Sequence, residues 1–93
     1  MQTYIVLRRS AWETEAEADD AAAIAARIED EEMDGQIRLL RSYLMEEEDG
    51  TLGIMSIYQA EDDDILMEHS QRAELPLDEL IPVADMQVAR DDP

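Results

Sequence analysis

The spacing of apolar positions alternates between two periods along this chain. Residues Thr3 to Arg8 (TYIVLR) are β-branched, aromatic or aliphatic, flanked by polar residues and too short for a buried helix, which predicts a strand. From Glu15 to Met33 the repeat lengthens. Ala18, Ala21, Ile24, Ala25 and Ile28 recur at helical steps with acids on the other side, as an amphipathic helix requires. Thr14 and Glu17 have the spacing of a capping box at its start, and Gly35 supplies a stop. Ile37 to Glu47 and Thr51 to Ala60 return to strand-like runs, joined through Asp49-Gly50, a dipeptide that readily adopts the positive φ angles of a tight hairpin. Asp62 to Asp64 then offer N-cap oxygens and favourable charge to a second helix, on which Ile65, Leu66, His69 and Ala73 share one face. That helix ends near Glu74, where Leu75-Pro76 breaks it. Leu77 to Leu80 suggests a single turn, and Ile81 to Val88 a last strand with Pro82 near its start, where a missing donor is tolerable.

Strand, helix, hairpin, helix, strand is the split βαβ order. It predicts an α+β ferredoxin-like βαββαβ domain over residues 1–89, with a flexible acidic tail at 90–93. Two right-handed crossovers place both helices on one face of a four-stranded antiparallel sheet and leave the other face bare. With a two-residue turn at Asp49-Gly50, Tyr43 lies opposite Ser56 and Arg41 opposite Tyr58. Leu40, Leu44, Met55 and Ile57 then meet the helices, while Arg41, Tyr43, Ser56 and Tyr58 join Ile37, Leu39, Met45 and Ile54 on the bare face. A face so apolar predicts a partner surface, and a second copy of the same sheet is the simplest partner, giving a homodimer of the dimeric α+β barrel type.

Composition narrows the partners. The 93 residues fit one domain with one modest core. Asp and Glu number 25 against 7 basic residues, all Arg, for a net charge of -18, yet 45% of residues are hydrophobic, so the chain is not a disordered acidic tract. Such charge repels phosphate backbones and anionic headgroups, which argues against nucleic acid and membrane surfaces as partners. The acids are spread over both helices, the hairpin and the tail. This pattern suits a halophilic surface, because molar salt shortens the Debye length to roughly 3 Å and screens carboxylate repulsion. An Arg-favouring genome is the plainer source of the same composition. The chain contains no cysteine, which excludes disulfides, thiolate catalysis and Cys-based metal sites. No apolar run reaches the ~20 residues of a membrane span, and the N-terminus starts directly on a strand pattern, so the expected location is cytoplasmic.

Four residues are candidates for chemistry. His69 is the sole histidine, the natural recruit for a metal or for proton transfer near neutral pH, although its place on the apolar stripe equally suits packing at a core edge. Tyr43 and Tyr58 offer hydroxyls on apolar rings, Tyr4 less so, and sheet tyrosines commonly serve packing. Arg41, a cation in a strongly acidic chain, suits an anionic ligand or a carboxylate of a second copy. Glu46 to Asp49 and Glu61 to Asp64 lack the ligand spacing of a calcium loop and read as solvated surface. Trp12 reads as a lid in the loop after the first strand. No phosphate-binding glycine loop, nucleophile elbow or His-rich zinc motif is present.

Ile37 to Leu80 resembles a family of small nickel-binding-protein-like ferredoxin-like domains, otherwise known as a domain of unknown function. Arg41-Ser42-Tyr43 is similar to the family's strand segment, Tyr58-Gln59-Ala60 to a strand end, and Glu68-His69 through Arg72-Ala73 to Leu75-Pro76 to its helix and exit. The resemblance implies a dimeric ferredoxin-like domain and, for some members, a bound divalent metal such as nickel. Where members carry an acid late in the first strand, a cysteine on the third strand and often Glu at that strand's end, this chain has Leu7, Ser56 and Gln59, each lacking a potential ligand. Three functions follow as expectations. The first is a non-enzymatic small binding protein holding a divalent metal or small ligand with His69 as metal ligand and Tyr43, Tyr58 and Arg41 as ligand-binding residues. The second is a cofactor-free dimeric α+β barrel enzyme of monooxygenase or isomerase type, and the third a structural or interaction module.

Overall fold

The computed structural model describes residues 1–91. Its elements run β1 (Gln2–Trp12), α1 (Glu15–Glu31), β2 (Ile37–Glu46), β3 (Leu52–Ala60), α2 (Asp63–Ala73) and β4 (Glu79–Pro82). The strands form one antiparallel sheet in the order β2-β3-β1-β4, which with two helices is the ferredoxin-like α+β arrangement. Asp92 and Pro93, half of the expected tail, lie outside the described residues.

Each helix begins where the sequence offers a cap. Thr14 Oγ1 accepts from the Glu17 amide at 3.2 Å, and Glu17 reaches back to the Glu13 amide at 3.0 Å, a capping box displaced by one residue. Asp62 Oδ1 accepts from the Ile65 amide at 3.2 Å. α2 ends on Glu74 in the left-handed region, φ 56°, with the Leu75 amide returned to the Ser70 carbonyl. α1 buries Ala18, Ala21, Ala25 and Ile28, but Ile24, expected on this stripe, is 42% exposed. α2 buries Leu66, His69, Ser70 and Ala73. The core joins these to Tyr4, Val6, Met33, Ile37, Tyr58 and Ala60.

The hairpin register differs from expectation by one residue. Glu47 and Thr51 close the turn, the Glu47 amide donating to the Thr51 carbonyl at 2.9 Å, around a three-residue loop whose Gly50 takes φ 86°. Ser42 therefore pairs with Ser56, Tyr43 with Met55 and Leu44 with Ile54. Side chains alternate along a strand, so a one-residue slip moves a whole set to the other face. Ile54, Ser56 and Tyr58 face the helices instead of the open side, while Met55 and Ile57 take the open side instead of the core. An irregularity between Leu39 and Arg41 then carries Ile37 and Leu39, expected on the bare face, to the helix side. Arg41, Tyr43 and Met45 remain on the open face as expected, joined by Ile5, Leu7 and Ile81 through their pairings.

Two strand ends also differ. β1 continues past Arg8 to Trp12, turning at Ser10 (φ 49°), so Trp12 closes a strand and pairs with Leu52 rather than sitting in a loop. The last strand comes earlier than Ile81 to Val88. It pairs with β1 from Glu79 to Pro82, flanked by Asp78 and Val83 amides donating to Leu7 and Thr3 carbonyls, and residues 84–88 form no strand. Pro82 lacks the amide that would carry the ladder onward. Met86 to Asp91 instead border a wide, shallow groove on the open face beside Leu40, Arg41 and Ile57. No helix among the described residues is long and apolar enough to cross a membrane.

Candidate functional site

α1 presents alanine where it crosses the sheet, and the strands beneath it present serine. Small residues on both walls leave a gap in what is otherwise a close-packed interior. The result is a cavity of about 70 Å³ between α1 and the sheet, walled by Ala21, Ala22, Ala25, Leu39, Ile54 and Leu75, with Trp12 also on its lining. Its polar lining consists of Arg8, Glu29, Ser42, Ser56 and Tyr58. Ser42 and Ser56 share a hydrogen bond of 2.8 Å between their hydroxyls, the direct consequence of the shifted register.

The polar groups continue behind this lining into the core. Tyr58 donates to Glu29 Oε2 at 3.4 Å, a long contact, and burial pushes its phenol pKa well up, with the Glu29 charge adding to the rise. The Tyr58 and His69 rings lie 5.8 Å apart. His69 is fully enclosed. Its Nε2 lies 3.1 Å from the Ala25 carbonyl and 3.3 Å from Glu29 Oε2. A carbonyl only accepts, so Nε2 carries the proton and Nδ1, buried with no partner, is the other ring nitrogen. Arg8, 4% exposed, donates from one terminal nitrogen to Ser70 Oγ at 2.9 Å and to the Pro76 carbonyl at 2.6 Å. Its desolvation lowers the guanidinium pKa.

The four residues singled out from the sequence divide between two faces. His69 and Tyr58 meet in the core, and Tyr58 reaches the cavity while His69 stands behind it. Arg41 and Tyr43 lie together on the open face, Arg41 donating to the Tyr43 hydroxyl at 3.0 Å. Arg8 and Glu29, which do reach the cavity, were not distinguished by sequence reasoning. The available signals were Arg8 standing in phase with Tyr4 and Val6 on a buried strand face, and Glu29 lying four residues after Ala25 on the helix stripe.

The donor set for a metal is thin within one chain. His69 has one nitrogen engaged and the other enclosed, and among the described residues Glu29 is the one carboxylate within 4 Å of it. Leu7 and Gln59 lie on the open face, away from Ser56 on the helix face. Among the described residues, the group of three or more acids or imidazoles close enough to share an ion is Asp62, Asp63 and Asp64, all exposed, with Asp62 already capping α2. A nickel ion coordinated wholly by one chain does not fit this arrangement.

The architecture and pairing order are those of a ferredoxin-like α+β domain. The family model described as nickel responsive protein SCO4226-like matches residues 4–83, and the chain belongs to that family. The crystal structure of SCO4226 from Streptomyces coelicolor A3(2) superposes with a TM-score of 0.73 over 91% of this chain and 99% of that one, at 13% identity, a likeness of fold. Comparison with curated proteins finds no match.

Proposed function

We propose that this chain is a non-enzymatic small binding protein whose ligand occupies the cavity between α1 and the sheet, and that it acts as a homodimer through the open sheet face. The observation that carries the reading is the cavity itself, with small apolar walls and a polar lining of Arg8, Tyr58, Glu29 and two serines. Apolar surface to hold a ligand and a few fixed polar groups to orient it are what a binding site needs. The dimer is supported by Ile5, Leu7, Met55 and Ile57, half-buried on a sheet face that carries no helix, with exposed Tyr43 and Ile81 beside them. The enzymatic alternative gains no support from His69, which is absent from the cavity lining.

Nuclear magnetic resonance titration with organic molecules of about three to five heavy atoms, sized to the cavity, tests the binding reading. Shifts centred on Ala21, Ala22, Ala25 and Ser56 are expected, and the absence of cavity-centred shifts for every chemical class would overturn it. Membership in a nickel responsive family makes nickel the metal to test beside these. Calorimetric titration of metal-stripped protein with nickel, cobalt, zinc and calcium in molar salt should give no stoichiometric binding that depends on His69. Tight nickel binding, lost in a folded His69→Ala variant, would replace the small-ligand reading with the metal one. Sedimentation equilibrium should return twice the chain mass, falling to the single mass in Ile57→Arg.

A further inference from the structure

Among the described residues Arg8 has no ionic partner within 4 Å. Carboxylates outnumber Arg and Lys by 25 to 7 in this chain, and Arg9 pairs with Glu47 while Arg72 pairs with both Glu32 and Glu68. Among the described residues no carboxylate lies within 4 Å of the Arg8 guanidinium, although the residue is 4% exposed. Its hydrogen-bond partners, Ser70, the Pro76 carbonyl and the Tyr58 phenol, are neutral. The two acids whose charge it feels in this environment are turned elsewhere. Asp78 Oδ2 accepts from the Arg9 amide at 2.7 Å, and Glu29 Oε2 faces Tyr58 and His69. A buried cation without a counter-ion is costly to keep. This one lines a cavity, where a ligand is able to supply what the chain withholds.

The two serines on the lining fit the same occupant, while Glu29, also on the lining, turns its Oε2 to Tyr58 and His69. The Ser42 and Ser56 hydroxyls share one hydrogen bond, which uses one proton of the two and leaves the second available to donate. The Tyr58 phenol keeps its proton, because burial disfavours the phenolate, and donates it to Glu29. Alanines of α1 with Leu39, Ile54 and Leu75 offer only apolar contact. At about 70 Å³ the space suits a short apolar body and excludes drug-sized ligands.

We infer that the cavity binds a small organic monocarboxylate, its carboxylate paired with Arg8 and its apolar body against Ala21, Ala22, Ala25 and Leu75. This inference rests on the binding reading above and adds the sign of the ligand's charge. The test titrates the full chain with acetate and propionate, using acetamide and propionamide as neutral controls of matching shape, followed by calorimetry and amide chemical shifts. Both acids should bind at the cavity, and each amide should bind at least about tenfold more weakly, as expected for losing a charge-assisted pair. Arg8→Gln should weaken the acids by a similar factor and leave the amides unchanged, and Ala22→Leu, which adds bulk at an exposed residue of the lining, should weaken all four. If Arg8→Gln does not fold, the acid-to-amide ratio on the unaltered protein decides alone. Amides binding as tightly as acids would overturn this inference while leaving the cavity-binding reading intact. No cavity binding by either acid, or binding indifferent to Ala22→Leu, would overturn the inference as well.

Discussion

Tyr58 and His69 are both buried, and the chemistry of each follows from that burial. Burial and the nearby Glu29 raise the Tyr58 phenol above its ordinary value of 10.0. A raised folded-state pKa gives stability that is complete below the unfolded value and is lost as pH rises through the folded one. Phenolate absorbance should therefore show Tyr58 ionising together with alkaline unfolding, and a Tyr58→Phe variant should lose that late component. A Tyr58 signal that titrates at an ordinary tyrosine pH in the folded protein would contradict the enclosure. The sequence made Tyr58 visible as a sheet tyrosine and His69 as a residue of the apolar stripe. It did not reveal that they touch, because contact between α2 and β3 depends on which face of β3 meets the helices.

At the scale of elements, local chemistry accounts for where the helices begin. Removing the Thr14 or Asp62 side-chain oxygen leaves an amide of the first turn without its acceptor, so Thr14→Ala and Asp62→Ala should each cost about 1 kcal/mol, measurable by denaturant unfolding. Gly53 is constrained by packing instead of by a turn. A Cβ there would stand 2.6 Å from the Arg8 carbonyl and 2.9 Å from Glu47 Oε1, and the backbone contact has no flexible end to yield. Gly53→Ala should destabilise the protein by about 1–3 kcal/mol, the range for forcing atoms into a packed site. A neutral result would mean that β1 and β3 separate there at little cost. The same hairpin shows the limit of pattern reading. Asp49-Gly50 was correctly legible as a turn, but loop length sets register, and three loop residues instead of two carried Ser56 and Tyr58 to the helix face. The cavity lining was hidden by that single-residue difference.

For the whole molecule, a net charge of -18 spread over both helices, the hairpin and the chain end predicts self-repulsion that salt relieves. Unfolding free energy measured across a potassium chloride series should rise toward molar salt, and stability independent of salt would remove the halophilic reading of the surface. Several properties were determined by the sequence alone: the βαββαβ order, both helix caps, the absence of thiol chemistry and the acidic composition. Each depends on composition or on residues within a few positions of one another, where propensity, capping and periodicity act directly. Only the tertiary structure decided which strand face met the helices, that β4 ends at Pro82, and that Arg8, 21 positions from Glu29 and 50 from Tyr58, joins them around one cavity. Those outcomes depend on register and on the summed volumes of α1 and the sheet, and they are settled only when long-range packing brings the two surfaces together.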